Sequence, residues 1–309
     1  MAKPRNDLLD RLQYIALRLV SMWMHIWPIE LNLAFARVLG DFMYLFDKRH
    51  RDRAMGNLRR SFPEMPEKQR QEMARQSMHQ LLMLFVEVLF TTRLVRIDTI
   101  AKVIELDNFA EVLRLLMKRD RGLIMLTGHY GNWEVLGYAL ATLGFETTSV
   151  ARPLDNPYVN HYLLGVRERM GQRIIAKKGA TEEVTTVLEQ KGIVGFIADQ
   201  NAGPKGVFVD FFGRKASTYK SIALLAMQYE VPVVVGYAQR LRDSFRFRMA
   251  AQDIIRPEDW KDQPDPMRYI TQRYSKAIED FVRKDPGQYL WVHRRWKSRP
   301  KGEAPEEFD

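Results

Sequence analysis

The chain has 309 residues, with 48 Lys and Arg against 38 Asp and Glu, a formal net charge of +10. Apolar residues at 46% and charged residues at 28% describe a chain able to bury one large core or two smaller ones, and exclude disordered and collagen-like classes. The absence of cysteine excludes disulfide scaffolds, zinc–cysteine sites, iron–sulfur clusters and cysteine nucleophiles, while the positive excess points to an anionic partner: nucleic acid, acidic lipid headgroups or an acidic carrier protein.

Residues 1–11 carry both charge signs and precede an apolar stretch over 14–35, rich in Trp, Met and Leu. A membrane span needs roughly 20 residues with few charges, and Arg18, His25, Pro28 and Glu30 interrupt this one. No small-residue cleavage site follows, so a secretory signal is not expected. Two membrane readings remain: a poor anchor, or helices whose Trp23, Met24 and Trp27 dip into the interface, flanked by the basic residues Arg49, His50, Arg51 and Arg53. A core helix of a soluble protein explains the same letters. After the breaks at Pro63 and Pro66, residues 67–92 read as a long helix, charged in its first turns and apolar at helical spacing over 81–89.

From about residue 123 the texture changes. Short apolar runs at 123–127, 147–151, 174–176, 192–198, 207–211 and 231–238 read as strands, and 245–250 alternates as an exposed or antiparallel strand would. Helical patterns fall at 132–143, 156–170, 181–189, 218–229 and 267–284. The expectation is an α/β fold, a mostly parallel twisted sheet flanked by helices, behind an N-terminal helical membrane-associating segment. The corresponding units are 1–48, an α/β domain over 49–299, and a flexible tail over 300–309.

In open α/β sheets ligands gather where strands end and helices begin. Thr127-Gly128-His129-Tyr130-Gly131-Asn132-Trp133-Glu134 occupies such a crossing. The His129 imidazole suits base work near neutral pH, provided one nitrogen abstracts a proton while the other donates to an orienting carboxylate. Glu134 is the expected carboxylate. Five residues of continuous helix would turn the two side chains apart, so the pair requires His129 to sit in a turn before the helix. Gly128 and Gly131 suit that turn. A surface or merely hydrogen-bonded histidine fits the same spacing.

The His-x4-Glu pattern of His129 and Glu134 resembles the signature of glycerolipid and lysophospholipid acyltransferases, most closely the lipid A biosynthesis lauroyl/myristoyl acyltransferase family. Three further blocks fit that family: residues 57–64 (Asn-Leu-Arg-Arg-Ser-Phe-Pro-Glu), Ala198-Asp199-Gln200 with 207–214, and residues 288–297 (Gln-Tyr-Leu-Trp-Val-His-Arg-Arg-Trp-Lys). The resemblance implies transfer of a fatty acyl group from an acyl carrier protein or coenzyme A thioester to a hydroxyl of a membrane glycolipid. The acceptor it suggests is a lipid A precursor, at the cytoplasmic face of a bacterial inner membrane. It implies His129 and Glu134 as catalytic residues, direct attack without an acyl-enzyme, backbone amides near the turn as oxyanion donors, and no metal or cofactor beyond the thioester co-substrate. The same chemistry on a glycerophospholipid or a phosphatidylinositol mannoside is an alternative, as is a non-catalytic basic protein that binds membrane. A nucleic-acid partner is not expected, for want of helix-turn-helix spacing, RNP-type aromatics or zinc ligands.

Further residues are candidates for substrate binding. Arg152 follows the strand at 147–151 and suits a phosphate, or a surface salt bridge. Asp199 and Gln200 end the strand at 192–198; Asp199 is expected to orient Arg152, to bind sugar hydroxyls or to cap a turn, and Asn201 to share those tasks. Arg214 and Lys215 precede Ser217, Thr218 and Lys220 at an expected helix start, a phosphate site or an ordinary cap. His293, Arg294, Arg295, Lys297 and Arg299, interleaved with Trp291 and Trp296, read as a membrane-surface or nucleic-acid patch beside a strand at 289–292, or as structural pairs of sheet carboxylates. An acyl channel is expected to draw its wall from Trp133, Leu136, Tyr138, Leu140 and the apolar face of 81–89.

Overall fold

The computed structural model describes residues 6–169, 171–176 and 179–303. Nine strands are present among them: β1 (Ile104–Asp107), β2 (Leu123–Thr127), β3 (Thr147–Ala151), β4 (Gln172–Ala176), β5 (Ile193–Ile197), β6 (Val207–Phe211), β7 (Arg214–Thr218), β8 (Val233–Arg240) and β9 (Phe247–Ile255). The helices are α1 (Asp7–Met24), α2 (Ile29–Phe46), α3 (Lys48–Ser61), α4 (Glu67–Leu94), α5 (Ile100–Val103), α6 (Ala110–Lys118), α7 (Trp133–Thr142), α8 (Pro157–Glu168), α9 (Ala180–Glu189), α10 (Ser221–Gln228), α11 (Pro257–Trp260) and α12 (Pro266–Lys284).

Seven strands form one sheet in the order β1-β9-β8-β2-β5-β3-β4. β8, β2, β5, β3 and β4 run parallel, β9 runs antiparallel to β8, and β1 lies parallel to β9. The mostly parallel sheet expected from the sequence is present. Both faces are covered, as parallel sheets require: on β2, Ile124 and Leu126 join one core while Leu123 and Met125 join the other. The 245–250 segment is antiparallel as expected, but β1 covers its other edge.

Two local expectations fail. Residues 214–218 are the strand β7, not a helix start, because Phe212 (φ +53°) and Gly213 (φ +71°) close a two-residue turn between Phe211 and Arg214. Two consecutive left-handed residues match the twist of a hairpin, and Phe-Gly is an unusual pair to fill it. Residues 289–292 form no strand; a 3-10 turn over Pro286–Gln288 leads into turns, and only Tyr289 bridges, to Tyr130.

The N-terminal helices α1 and α2 present an apolar outer face. Of the 24 large apolar side chains that are exposed among the described residues, 17 lie between residues 8 and 46, Trp23, Trp27, Phe35, Phe42 and Phe46 among them. Inwardly, α2 packs on α4 through Leu33 and Ala36 and through Asp41, which accepts from Arg75 (2.5 and 2.9 Å) and pairs with His79 (2.6 Å). No helix of the described residues is long and apolar enough to cross a membrane.

Candidate active site

β2 and β5 are adjacent and parallel, with Thr127 opposite Ile197. The pairing continues one bond past the strands, where Ala198 N–H donates to Thr127 O. Two residues further on each chain, His129 faces Asp199 as a direct consequence of that register. The His129 main-chain N–H donates to Asp199 Oδ2 and His129 Nδ1 lies 2.7 Å from Asp199 Oδ1, the backbone bond also being 2.7 Å. The Asp199 side chain is 0% exposed and that of His129 12%. Burial pushes the Asp199 carboxyl up, but the adjacent His129 ring and its hydrogen bonds outweigh this and hold it well below the usual carboxylate range.

His129 does sit in a turn before α7, as the expected pair requires. Gly131 makes that turn possible: it has φ +56°, and a Cβ there would lie 2.1 Å from Ala238 O. The carboxylate on the ring is nonetheless Asp199's. Glu134 spends both oxygens on Arg167 of α8, at 2.8 and 2.7 Å, because it stands in the first turn of α7 and lines the cavity between that helix and the sheet. Asp199 is thus engaged by His129 and not by Arg152, which is exposed and 3.5 Å from Asp155. The other ring nitrogen of His129, Nε2, is 3.4 Å from the exposed Gln200 amide. Trp133 and His293 meet the imidazole edgewise, at centroid distances of 4.8 and 4.4 Å.

Four of the turn's amides are committed. Those of His129, Tyr130, Gly131 and Asn132 donate to Asp199, Gly128 O, Gln288 O and Ala238 O. Asn132 caps α7 by accepting from Val135 N–H at 2.9 Å. The amides of Trp133 and Glu134, in the first turn of α7, have no intrahelical or capping partner.

Several of the remaining candidate residues hold neighbouring segments together. Arg214 stacks 3.5 Å over Trp296 and donates to Ser61 Oγ (2.9 Å) and Asn57 O (3.5 Å). Asn201 donates to Ser298 Oγ. The C-terminal cluster is only partly at the surface: Trp291, Arg295 and Trp296 are buried, His293, Arg294 and Arg299 are half-buried and Lys297 is exposed. Arg295 donates to Ser217 O (2.5 Å), Thr218 Oγ1 (2.6 Å) and Gln200 O (3.3 Å), carbonyl and hydroxyl oxygens rather than carboxylates. Asn57 donates to Trp291 O and His293 O. The four sequence blocks thereby converge on one place, with blocks one, three and four bracing the loop that carries His129.

A narrow cavity of about 90 Å³ lies between α7 and the sheet, lined in part by Trp133, whose ring also meets His129. One wall is the sheet face of Met125, Thr127, Thr147, Ser149, Ile193, Gly195 and Ile197; the other is Trp133, Glu134, Leu136, Gly137 and Leu140 of α7. Three of the expected wall residues are there. Tyr138 and 81–89 are not among its lining; Tyr138, next to Gly137, instead joins the buried core.

A family profile, that of the bacterial lipid A biosynthesis acyltransferase, matches residues 3–298. Among curated relatives, a lipid A biosynthesis acyltransferase of Haemophilus influenzae is 24% identical over 89% of this chain and 85% of its own length. A lipid A biosynthesis lauroyltransferase of Escherichia coli is 26% identical over 85% and 84%, and a myristoyltransferase of the same organism 23% over 86% and 80%. With the four blocks gathered around one buried carboxylate–imidazole pair, the chain belongs to the bacterial lipid A biosynthesis acyltransferases and is an O-acyltransferase of that type.

Proposed function

We propose that the protein moves a fatty acyl chain from a phosphopantetheine thioester, on acyl carrier protein or coenzyme A, to a hydroxyl of a lipid A precursor, with His129 as base and Asp199 as the carboxylate that orients it. The observation that carries this reading is the double hydrogen bond of His129 to the fully buried Asp199. Accepting from Nδ1–H, Asp199 leaves the lone pair on Nε2, and its charge stabilises the imidazolium that follows. Nε2 takes the acceptor's O–H proton, the oxygen bonds to the thioester carbon, and the oxyanion meets the free amides at the N-terminus of α7. The C–S bond then breaks and the departing thiolate takes the acceptor's former proton from His129. No acyl-enzyme forms.

The proposed acyl chain enters the cavity between α7 and the sheet, which at about 90 Å³ must widen to hold more than its first few carbons, and the Glu134–Arg167 pair fixes α8 against the α7 side of it. A Cβ on Gly137 would lie 2.5 Å from Gln172 Nε2, so any side chain there narrows the channel. In Gly137→Ala, kcat/KM for the longest accepted chain is expected to fall about tenfold while short chains keep theirs; competition between donors of different length measures it.

The apolar face of α1 and α2, with Trp23 and Trp27 exposed and with Arg18 of α1 bonded to Tyr14 and Arg93 of α4 bonded to His25 O, is proposed to lie in the interface of an anionic bilayer rather than across it. Trp23→Ala with Trp27→Ala is expected to weaken flotation with anionic vesicles about tenfold and to leave turnover of a short, water-soluble acceptor unchanged.

The function is tested by offering purified protein both thioester donors against a lipid A precursor, a lysophospholipid and a phosphatidylinositol mannoside. Ester formation on the lipid A precursor is expected. Transfer to either other lipid alone overturns the acceptor, and full activity in His129→Ala overturns the base.

A further inference from the structure

His293 is a half-buried imidazole that the reaction as written does not use. Its ring meets that of His129 at 4.4 Å between centroids and 66° between planes, and its Nε2 is buried with no hydrogen-bond partner. Its backbone is tied to the turn that bears the base. His293 N–H donates to Leu290 O, Leu290 N–H donates to His129 O at 3.0 Å, and Asn57 holds His293 O at 3.1 Å. The two rings therefore keep their spacing as one unit. A buried nitrogen without a partner is unfavourable, so the fold gains nothing from the polarity of this ring; what it gains is a flat wall against His129.

We propose that His293 is a positioning residue for His129: an uncharged ring that, with Trp133, confines the imidazole to the orientation facing Asp199 and keeps water and positive charge away from the pair. The charged and titratable groups around it are His129 on the turn, Asp199 beyond β5 and Arg53 on α3. Burial, then the neighbouring His129, pushes the His293 imidazole down to about 4, which keeps it neutral wherever the base operates. Excluding water from the wall strengthens the attraction between Asp199 and the imidazolium formed in the reaction.

The inference rests on His129 being the base, and one experiment separates the two claims. Full-length His129→Ala, His293→Phe, His293→Ala and His293→Lys are assayed across pH with the same donor and acceptor, after thermal melts establish folding. His293→Phe restores a neutral ring and is expected to keep kcat within about threefold, whereas His293→Ala loosens the base and lowers kcat about 10–100-fold with KM within about twofold. In His293→Lys a positive charge disfavours the imidazolium, moving the acid limb of the kcat profile to lower pH while lowering kcat. Wild-type kcat in His293→Ala, or an unmoved acid limb in a folded His293→Lys, overturns the inference. So does a loss in His293→Phe as large as in His293→Ala, particularly in KM, which would mean that the nitrogen touches substrate. Activity in His129→Ala instead removes the reading beneath it.

Discussion

Asp199→Asn is expected to lower kcat by about 10³–10⁴-fold while leaving KM nearly unchanged, the scale on which a wrong histidine tautomer acts. Asp199 accepts two hydrogen bonds from one residue, the His129 main-chain N–H and the Nδ1–H, each at 2.7 Å. An amide has one acceptor oxygen. If it keeps the backbone bond, its NH₂ faces Nδ1, which must then become the acceptor and send the ring proton to Nε2, where the lone pair is needed. If it keeps the ring bond, the turn loses an anchor. Glu134→Gln is the comparison that decides between the two carboxylates. It retains one acceptor for Arg167 and leaves the tautomer alone, so kcat is expected to fall about tenfold at most, through a looser α7 and cavity. Single-turnover rates for both variants, at saturating thioester, check this. A dead Glu134→Gln beside an active Asp199→Asn would return the orienting role to Glu134.

Much of this site was legible before any coordinates. Strands at 123–127, 147–151 and 207–211 match the expected ranges to the residue; of these only β2 is a fully buried parallel strand, a short apolar run bounded by turns, while β6 is one arm of an antiparallel hairpin. His129, Glu134, Asp199, Gln200 and Arg214 all stand out in the sequence, but the pairing of His129 with Glu134 and of Asp199 with Arg152 is not what the structure holds. Chain proximity favours Glu134, five residues from His129. The real partner is 70 residues away, and only the order of strands, β2 beside β5, brings it close. One sequence does not show strand order. Arg295 and Trp296 misled for a related reason: a basic and aromatic run reads as surface, but these side chains enter the core where main-chain carbonyls of β7 and Phe211 are waiting. The β6–β7 turn was hidden because its left-handed positions are Phe212 and Gly213 rather than Asn-Gly.

Removing the Glu87 carboxylate is expected to destabilise the fold by about 3–5 kcal/mol, the scale for breaking a buried ion pair from one side, and to lower Tm by roughly 10 °C. Glu87 of α4 and Arg240 of β8 are both 0% exposed and joined by two bonds, of 2.5 and 2.6 Å. In Glu87→Ala the guanidinium would remain buried with its Nε and Nη2 unpaired, in addition to an Nη1 that already lacks a partner. Replacing both ends, as Glu87→Met with Arg240→Met, removes the stranded charge and is expected to recover at least half of the loss in urea unfolding. Activity should not follow stability in that double variant. Glu87 Oε2 also accepts from Asn132 Nδ2 at 2.8 Å, and Asn132 is the residue that caps α7. With Glu87 gone, the cap loses its support however well the core is repacked, and the amides of Trp133 and Glu134 lose the aim that the proposed oxyanion contact requires. A double variant that regains stability while kcat stays at least about tenfold low would assign the buried carboxylate a share in catalysis through Asn132; full recovery of both would confine it to the core.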